Sequence, residues 1–555
     1  MKISKHLPIL ALFLVLAIAV TSCAGAVEPP DDDSDSGQST DVPAVGGELV
    51  YGITGEPVIL NPILATDTPS AFVNSRIYAG LVRADENLQM EPYVAHDWEY
   101  SDDGLEWTFY LRDDVYFHDG EQLTAEDVVY TYMTILDPDY TGVRASSYAP
   151  VEEIVAEDDF TVRFSLHTPY APLLSTLGMG ILPSHLYSDT PVAELRELDV
   201  NMEPVGSGPY TFKEWQSGQY VILERNPDFF LDGPFIETVN IRIYGDGQVV
   251  LAALEAGDID LLGAIPPDDV DRITEEYADR LEFHNLQQNG YSYIGLKQTD
   301  PILSDVRVRQ ALMYGIDRQG IVDNILGGLG TVMNANIPGF SWVHNPDLKP
   351  YEYNPDTAIE LLEDAGWTEV ADDGIRMNAK GERLTITTVS GTGDTLREDV
   401  MLIAQQNLAE VGVELKPEFY EWSVLLNQYL DVAKFQSYLL SWSLSTDPDD
   451  FITFHSSAGV NEDGQLAGFN DVEYSNPEVD ELLERGRTTM DKNERKQIYF
   501  KVQEILNEEL PYVFLFSRDV VAAVHKDIKG VVMTGIGSLY PERWYIETES
   551  VAAKD

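Results

Sequence analysis

A single cysteine, Cys23, is the sequence feature that most limits how this 555-residue chain can fold. Without a second cysteine no disulfide can brace the structure, and no site built from several thiolates can hold a metal ion. The fold must therefore be stabilised by buried apolar side chains. The roughly 500 residues beyond the N-terminal region exceed what one hydrophobic core organises, so we expect two or three domains.

Cys23 stands directly after a segment with the features of a secretory signal peptide. Two lysines precede an apolar run, residues 7–20, which is too short to span a membrane comfortably and is followed by small residues. The sequence Val-Thr-Ser-Cys at residues 20–23 resembles the bacterial lipobox, in which the cysteine becomes the lipidated first residue. We therefore expect a lipoprotein signal peptide at residues 1–22. The alternative is an ordinary cleavage site near Cys23.

Residues 23–46 are rich in Pro, Asp, Ser and Gly and lack periodic apolar positions. Such a composition cannot bury a core, and it predicts a lipidated N-terminus followed by a disordered tether. The sequence thus indicates an anchor, a tether and a globular body, in that order.

The net charge of −60 comes from 95 acidic and 35 basic residues. Acidity on this scale argues against nucleic acid or anionic lipid headgroups as partners, because both would be repelled. Two explanations remain for the charge: adaptation to a saline exterior, or a cleft that attracts cationic ligands. The first is favoured because the acids are spread along the whole chain.

Helices and strands are mixed throughout the body. Capping signals predict three helices, after Thr124 with Asp127 as its capping partner, from Asn354 to Gly366, and from Asn476 to Gly486. β-branched and aromatic runs predict strands at 47–53, 106–112, 161–166, 220–226, 239–244, 384–389 and 511–516. An Asp-Gly pair within residues 101–107 predicts a hairpin. This pattern favours α/β lobes with an additional antiparallel piece early in the chain.

Signatures of common catalytic chemistry are missing. The nine histidines form no HxH or HExxH pattern, and neither a GxxxxGK[ST] phosphate loop nor a GxSxG elbow occurs. A pair of catalytic acids stays possible, but acids are so frequent that no particular pair is indicated. The sequence therefore favours binding over catalysis, with no cofactor and no metal.

Residues 80–129 carry a series of motifs: a GLV turn, a step containing Pro92, Ala95 and Trp98, SDDG, and a segment with FHDG and LTAEDV. Further motifs follow in order: GSGPY (206–210), LERNPDFF (223–230), LEAGDID (254–260), DVRVRQALMYGIDRQGIV (305–322), YNPDTAIELLEDAGW (353–367), AQQNLAEVGV (404–413) and YSNPEVDELL to LPYVFLF (474–516). The chain thereby resembles the family 5 extracellular solute-binding proteins, the oligopeptide-, dipeptide- and nickel-binding receptors of ABC importers.

This resemblance implies an α/β, two-lobed periplasmic-binding-protein-like fold (type II, cluster C), with an inserted domain and a hinge between the lobes. The implied boundaries are lobe I at 47–82, 204–290 and 513–555, the inserted domain at 83–203, and lobe II at 291–512. Residues 287–298 and the stretch after Phe516 would form the hinge crossings. FHDG, LTAEDV and GSGPY are expected to set turns and packing rather than to contact ligand.

The resemblance also suggests ligand contacts on both rims of the cleft. On lobe I, Glu56 and Asn61 lie in a loop that faces the cleft in the family, although loop capping is an equal alternative. On lobe II, Trp422 and Trp442 could form flat apolar walls or be ordinary core aromatics. Arg397 stands where some peptide-binding relatives carry an arginine that meets the ligand carboxylate, and a surface helix arginine is the competing interpretation.

One position departs from the family pattern. Peptide-binding relatives often place an Asp four residues before the proline of the DPD segment, where it pairs with the α-ammonium of the ligand. Here Leu444 occupies that position before Pro448. Asp447 could replace the missing charge or cap a turn. The departure argues against strict recognition of a free N-terminus, while longer peptides held through their backbone remain compatible.

The sequence therefore predicts a monomeric, non-catalytic receptor on the outer face of the cytoplasmic membrane or in the periplasm, anchored through Cys23. It would capture oligopeptides for the transmembrane subunits of an ABC importer. A receptor for oligosaccharides or nickel complexes is the alternative within the same fold. An anchored hydrolase and a purely structural surface protein are the alternatives from other classes.

Overall fold

The computed structural model describes residues 43–547, apart from residues 141, 143, 431 and 462–465. The predicted signal peptide, Cys23 and the tether up to residue 42 lie outside the described residues. Within the described part, no helix is both long enough and apolar enough to cross a membrane.

The described chain begins with β1 (Glu48–Thr54) and α1 (Thr68–Ile77). A region rich in antiparallel strands follows, with β2 (Val82–Ala84), β3 (Met90–Pro92), β4 (Ala95–Tyr100), β5 (Glu106–Leu111), α2 (Ala125–Leu136), β6 (Val151–Asp158), β7 (Thr161–Leu166), α3 (Leu173–Thr176) and α4 (Ser184–Tyr187). Four of these strands form an antiparallel sheet in the order β4-β5-β7-β6. The predicted antiparallel piece early in the chain is confirmed. The predicted hairpin is also confirmed, because β4 pairs with β5 and Gly104 adopts φ +69° in the turn.

The chain then returns to β1 and builds a mixed sheet beside it. The elements are β8 (Tyr210–Gln216), β9 (Tyr220–Arg225), β10 (Thr238–Tyr244), α5 (Gly247–Ala256), β11 (Leu261–Leu262), α6 (Val270–Glu276) and β12 (Leu281–Gln287). Both β10 and β11 pair with β1 in parallel, as an α/β lobe requires.

A second set of helices and strands follows β12. It contains β13 (Gly290–Leu296), α7 (Val306–Gly315), α8 (Arg318–Ile325), β14 (Gly330–Val332), α9 (Pro355–Asp364), β15 (Glu369–Val370), β16 (Arg376–Met377), β17 (Thr385–Gly391), α10 (Thr395–Glu410), β18 (Glu414–Tyr420), α11 (Trp422–Leu425), β19 (Ser437–Ser443), α12 (Phe451–Phe454), α13 (Pro477–Thr488) and α14 (Lys492–Glu509). Here β17 pairs in parallel with both β18 and β19. This set is therefore a second α/β unit.

The last elements are strands: β20 (Tyr512–His525), β21 (Ile528–Lys529), β22 (Val532–Thr534), β23 (Gly537–Leu539) and β24 (Tyr545–Ile546). Connections between elements contain 3₁₀ helices at Ala145–Tyr148, Val192–Glu197, Asp199–Asn201, Pro267–Asp269, Ser456–Ala458 and Pro541–Arg543 and a π-helical segment at Leu426–Leu430. The prediction for β20, residues 511–516, was too short. The strand continues to His525 because its second half finds partners in β12 and β11.

One twelve-stranded sheet runs through both α/β units. Ten strands follow the order β18-β17-β19-β13-β20-β11-β1-β10-β9-β8, and β12 and β14 also pair with β20. The first half of β20 pairs with β13 and β14, and its second half pairs with β11 and β12. β20 is therefore the strand that joins the two units.

The buried apolar residues form three separate clusters. The largest lies among residues 291–516, another combines β1 and α1 with the antiparallel region, and a small one surrounds α5 and α6. The predicted fold class, two α/β lobes with an inserted domain and a hinge, is confirmed. The boundaries at residues 83, 203, 291 and 512 stay predictions.

FHDG and GSGPY contact each other, as the structural interpretation of these motifs requires. The Gly206 N–H donates to Nδ1 of His118 at 3.2 Å, and Nε2 of His118 lies 3.1 Å from the Gly208 carbonyl oxygen. A Cβ at Gly206 would stand 2.1 Å from the Ile77 carbonyl oxygen, so only glycine fits. Burial lowers the pKa of His118 to about 4. The imidazole is therefore a neutral packing group.

The three predicted helices are present and carry their predicted N-caps. The predicted end of the third, at Gly486, was wrong, because α13 continues to Thr488. A Cβ at Gly486 would lie 2.9 Å from the ring of Tyr499 on α14. This glycine permits the close packing of two helices and does not end one.

Candidate ligand-binding cleft

Two chain segments connect the lobes, and they run side by side as antiparallel strands. The first is β12 followed by β13, and the second is β20. Where they pass between the lobes, the Gln288 N–H donates to the Arg518 carbonyl oxygen at 2.8 Å, and the Ser517 hydroxyl donates to the Gln288 carbonyl oxygen at 3.0 Å. These hydrogen bonds hold the two crossings together, and the paired crossings form the floor of the cleft.

Three neighbouring cavities lie around this floor. The Arg397 cavity, of about 400 Å³, is bounded by β13, the start of α10, β19 and β20. The Asp519 cavity, of about 610 Å³, is bounded by the end of β1, the starts of α1 and α5, and β20. The Arg83 cavity, of about 510 Å³, lies between α1, the antiparallel region and the C-terminal hairpin β22–β23.

The cavities share lining residues and therefore form one cleft. Gln288 and Arg518 line both the Arg397 cavity and the Asp519 cavity. Ile536, at the tip of the β22–β23 hairpin, lines both the Arg397 cavity and the Arg83 cavity and is 38% exposed. A long ligand can thus extend from one cavity into the next.

Arg397 enters its cavity from the first turn of α10. The carboxylate of Asp394 caps this helix by accepting the Arg397 backbone N–H at 3.1 Å, and its Oδ2 lies 3.4 Å from the Arg397 Nη1. The Nε of Arg397 is buried and makes no hydrogen bond to a described residue. A buried N–H of this kind is a donor that a ligand oxygen can satisfy.

Tyr291 is a second residue that lines this cavity. Its side chain is 3% exposed, and its hydroxyl is buried without a hydrogen-bond partner among the described residues. Burial keeps the pKa of Tyr291 well above its ordinary value, so the hydroxyl remains protonated. Arg397 and Tyr291 thus both line the cavity, and each carries a buried donor without a described partner. The Arg397 guanidinium suits a carboxylate or a carbonyl oxygen.

Trp442 forms part of the wall beside these donors. Its ring stacks on Tyr293 with the centroids 5.8 Å apart and an interplanar angle of 8°. Phe469 packs against its other side at 5.5 Å and is itself 50% exposed. Trp442 thus packs on a core tyrosine and also lines the cavity, and ligand contact through it stays a prediction.

The Arg83 cavity is lined by Arg83 and Glu542, which form an ion pair, and by Arg144, which forms no ion pair with a described residue. The Arg83 Nη1 lies 2.7 Å from the Glu542 carboxylate, and its Nε lies 2.8 Å from the Glu91 carboxylate. Glu542 is only 1% exposed. Of its lining residues, Arg144 and Glu542 each keep one buried polar atom, Nε and Oε2, without a hydrogen-bond partner among the described residues.

The two residues predicted on the lobe I rim are engaged within the protein. Glu56 accepts hydrogen bonds from Trp215 Nε1 at 3.1 Å and from the Gly218 N–H at 3.0 Å, and a hydrogen bond from Ser217 lowers the pKa of its carboxyl. Asn61 is completely buried, and its Nδ2 donates to Asn201 at 2.8 Å.

The Asn61 Oδ1 also accepts the Ile63 backbone N–H at 3.0 Å. Both Glu56 and Asn61 therefore occupy the loop-capping role that was their alternative. In this conformation neither side chain lines the three cavities, and ligand contact through them stays a prediction.

Asp447 is also committed to the protein. Its two carboxylate oxygens accept hydrogen bonds from both Nη atoms of Arg495 at 2.6 Å, and Oδ1 accepts the Asp449 N–H at 3.0 Å. Leu444, at the departing family position, is held by Asn289, which accepts its N–H at 2.9 Å and donates to its carbonyl oxygen at 3.0 Å. The turn-capping alternative for Asp447 is therefore the geometry observed, and its charge is neutralised by Arg495.

Two predicted residues cannot be placed by their side chains. Trp422 is the first residue of α11, but its side chain lies outside what the structure describes. Cys23 precedes the described residues. Across residues 43–547 outside the gaps, no group of three or more His, Cys, Asp or Glu side chains could hold a metal ion.

Sequence reasoning missed Tyr291, Arg518, Asp519 and Ile536 as cleft residues. Tyr291, Arg518 and Asp519 lie in the segments that were interpreted only as hinge crossings. The available signal was that a crossing between two lobes must also be the floor of the cleft between them. For Ile536 no such signal existed, because the hairpin reaches the cleft only through tertiary packing.

Two α/β lobes, two crossing strands and a cleft with unpartnered buried donors define a two-lobed solute-binding protein. Residues 89–463 match the family model described as bacterial extracellular solute-binding proteins, family 5 (middle). The chain belongs to this family.

The relatives cover nearly the whole chain. The oligopeptide-binding protein AppA of Bacillus subtilis is 32% identical over 97% of this chain and 98% of its own. The structure of Bacillus subtilis AppA in complex with a nonapeptide is similar with a TM-score of 0.72 and 33% identity, covering 91% of this chain and 99% of that one. The Campylobacter jejuni protein NikZ in complex with Ni(L-His) is similar with a TM-score of 0.73 and 28% identity, covering 90% and 99%.

Proposed function

We propose that this protein is a lipid-anchored extracytoplasmic receptor that captures oligopeptides in the cleft and delivers them to the transmembrane subunits of an ABC importer. The observation that carries the proposal is the Arg397 cavity, which is lined by Arg397, with a buried Nε that has no described partner, and by Tyr291, with a buried hydroxyl that has none. Buried donors are rarely left unpaired, so a ligand that brings oxygen acceptors is expected there.

Oligopeptides bring such acceptors whatever their sequence. Each residue carries a backbone carbonyl oxygen, and the C-terminus adds a carboxylate that suits the guanidinium of Arg397. The linked cavities leave room for a chain of several residues. The likeness to AppA, whose structure contains a nonapeptide, supports the same ligand class for this protein.

Capture would proceed by closure of the lobes. A ligand that touches both lobes binds the closed state more tightly and shifts the equilibrium towards it. The hydrogen-bonded crossings provide the hinge, and the importer would recognise the closed form. No catalytic step is part of this function, and we propose that the receptor acts as a monomer.

Attachment to the membrane would occur through lipidated Cys23, on the outer face of the cytoplasmic membrane or in the periplasm. More than one acyl chain is needed for stable anchoring, as bacterial lipoprotein processing supplies. Expression of the full chain and of C23A tests this part. The wild type should fractionate with membranes and carry lipid mass on its N-terminal peptide, and C23A should do neither.

The ligand is tested first by mass spectrometry of whatever co-purifies with the full chain in mild detergent. Mixed peptides are the expected content. A defined sugar would favour the oligosaccharide alternative. A metal chelate would favour the nickel-complex alternative, since the similar protein NikZ is in complex with Ni(L-His). Turnover of candidate substrates would instead favour the hydrolase.

Titration calorimetry with the recovered peptides then tests the cavity. R397A should weaken binding at least tenfold, because a charge-assisted contact is lost. R307A is the matched control, since Arg307 also sits beside a capping aspartate, Asp305, at the start of a helix in the same lobe but outside the three cavities. Equal affinity of R397A and wild type would contradict the proposed site.

A further inference from the structure

Asp519 occupies the cleft floor next to the shared residue Arg518. It belongs to β20, pairs with Gln287 in the ladder to β12, and lines the Asp519 cavity. Its backbone N–H donates to the Leu329 carbonyl oxygen at 3.1 Å, so the position of the residue is fixed from both sides. The carboxylate is partly buried, and its Oδ1 is fully covered.

No cation neutralises this carboxylate among the described residues, and its Oδ1 has no hydrogen-bond partner. Two other buried carboxylates differ, while Asp450 and Asp471 are held by neutral hydrogen-bond donors. Asp447 pairs with Arg495, and Asp449 pairs with Arg487 at 2.8 Å. Buried charges are normally paired because desolvation otherwise opposes their ionisation. Asp519 is therefore a carboxylate without a cationic partner among the described residues, and its Oδ1 is open to a ligand.

The nearest polar side chains leave the Oδ1 free. The Gln287 carboxamide makes no hydrogen bond with it, although it stands opposite in the ladder. Burial raises the pKa of Asp519, and a hydrogen bond from Asn285 lowers it in part. Arg518 forms no ion pair with Asp519 within 4 Å and also lines the Arg397 cavity. A cationic group of a ligand would favour the ionised carboxylate.

Apart from Arg518 and a few neutral polar residues, the remaining wall of the Asp519 cavity is apolar. It includes the side chains of Tyr51, Phe72, Val250, Ile265 and Leu329. An apolar wall with one buried carboxylate matches a side chain that has a hydrocarbon stem and a charged tip. Lysine and arginine are the two amino acids with this construction.

We infer that the Asp519 cavity is a subsite for a basic side chain of the bound peptide, with the lysine ammonium or arginine guanidinium paired to the Asp519 carboxylate. The inference rests on the proposed peptide-binding function and adds a preference to it. The net charge of −60 acts in the same direction, because it raises the local concentration of cationic peptides.

The test uses two series of free nonapeptides in an alanine and serine background, titrated into the full chain in detergent. One series carries a single lysine at each position in turn, and the other carries norleucine, which has a similar stem without the charge. At one position, lysine should bind about tenfold more tightly than norleucine. Because both peptides have the same α-ammonium, this ratio reports the side chain alone.

D519N should reduce the lysine-to-norleucine ratio to about one while the norleucine peptides keep their affinity, which shows that the variant is folded. D527N is the matched control, because it removes a carboxylate that follows the same strand and lines none of the three cavities. It should retain the ratio.

Two results would overturn the subsite alone: binding of both series with equal affinity at all nine positions, or a lysine preference that survives D519N. If no peptide of either series binds, the proposed peptide-binding function falls, and the subsite falls with it.

Discussion

Asp447 and Arg495 form a bidentate ion pair, with Nη1 to Oδ2 and Nη2 to Oδ1 distances of 2.6 Å each. Their side chains are only 10% and 7% exposed. Arg495 also donates through Nε to the Gly486 carbonyl oxygen at 2.7 Å, which ties α14 to α13. The pair therefore locks the loop before α12 onto two helices of lobe II, and this loop carries residues of the cleft rim.

Asp447→Ala should destabilise the protein by about 3–5 kcal/mol, because it leaves the Arg495 guanidinium buried without its counter-ion. Urea denaturation gives this free energy of unfolding. D373A is the control, since Asp373 pairs with Arg383 at 2.7 Å on the surface, and its loss should cost less than about 1 kcal/mol. A stable D447A that only loses ligand affinity would instead assign Asp447 to the ligand.

Tyr291→Phe should leave the free energy of unfolding unchanged and lower peptide affinity about fivefold to tenfold, since the removed hydroxyl has no partner until a ligand arrives. Y438F provides the contrast. The Tyr438 hydroxyl donates to buried Asp471 at 2.8 Å, and its removal should destabilise the fold by about 1–3 kcal/mol. Calorimetry and urea denaturation measure both variants. A destabilised Y291F with unchanged affinity would show that the hydroxyl serves the fold.

Asp471 should make stability fall as the pH rises. Burial raises the pKa of Asp471 to about 7, against about 3.9 in an unfolded chain. Between these values the folded state holds a proton that the unfolded state has released. The free energy of unfolding therefore falls by at most about 1.4 kcal/mol for each unit by which the pH rises. D471N should therefore gain stability relative to wild type between pH 5 and 7.

Urea midpoints at pH 5, 6, 7 and 8 measure this difference. D372N is the control because it removes an exposed carboxylate of lobe II. A difference between D471N and wild type that stays constant across these pH values would contradict the assignment. Asp450, whose pKa burial also raises to about 7, remains in both proteins and cancels.

Lys492→Ala should lower ligand affinity about twofold to fivefold without changing the free energy of unfolding. Lys492, the first residue of α14, donates to Gln89 in the antiparallel region. A second contact between the same two parts of the molecule runs from the Ala171 N–H to the Arg487 carbonyl oxygen at 2.7 Å. Contacts across the cleft stabilise the closed state, and an exposed one is worth up to about 1 kcal/mol. K496A, on the same helix without such a contact, should bind as wild type. Unchanged affinity of K492A would show that the contact does not contribute to closure.

Local sequence signals predicted the secondary structure well. The N-caps at Asn354 and Asn476 could be predicted because a side-chain cap depends only on residues two or three positions away. The errors came from distant partners. Gly486 looks like a helix end because its role, close packing against Tyr499 of another helix, does not show in the local sequence. β20 was predicted too short because its second half is stabilised by pairing with β11 and β12.

The site was harder to predict for the same reason. Asp447 looked available in the sequence because Arg495 stands 48 residues away, and Asn61 meets Asn201 across 140 residues. The family resemblance led to Arg397, which does line the cleft. It could not indicate Tyr291 or Asp519, because a missing hydrogen-bond partner is a property of the folded environment and leaves no trace in the residue itself.

The position of β20 has a consequence for how the protein matures. It is the last long strand of the chain, yet it lies in the middle of the twelve-stranded sheet and pairs with four others. Neither lobe can complete its sheet until residues 512–525 have been synthesised. The earlier strands must therefore wait for their central partner, and the cleft exists only after nearly the entire chain has been made.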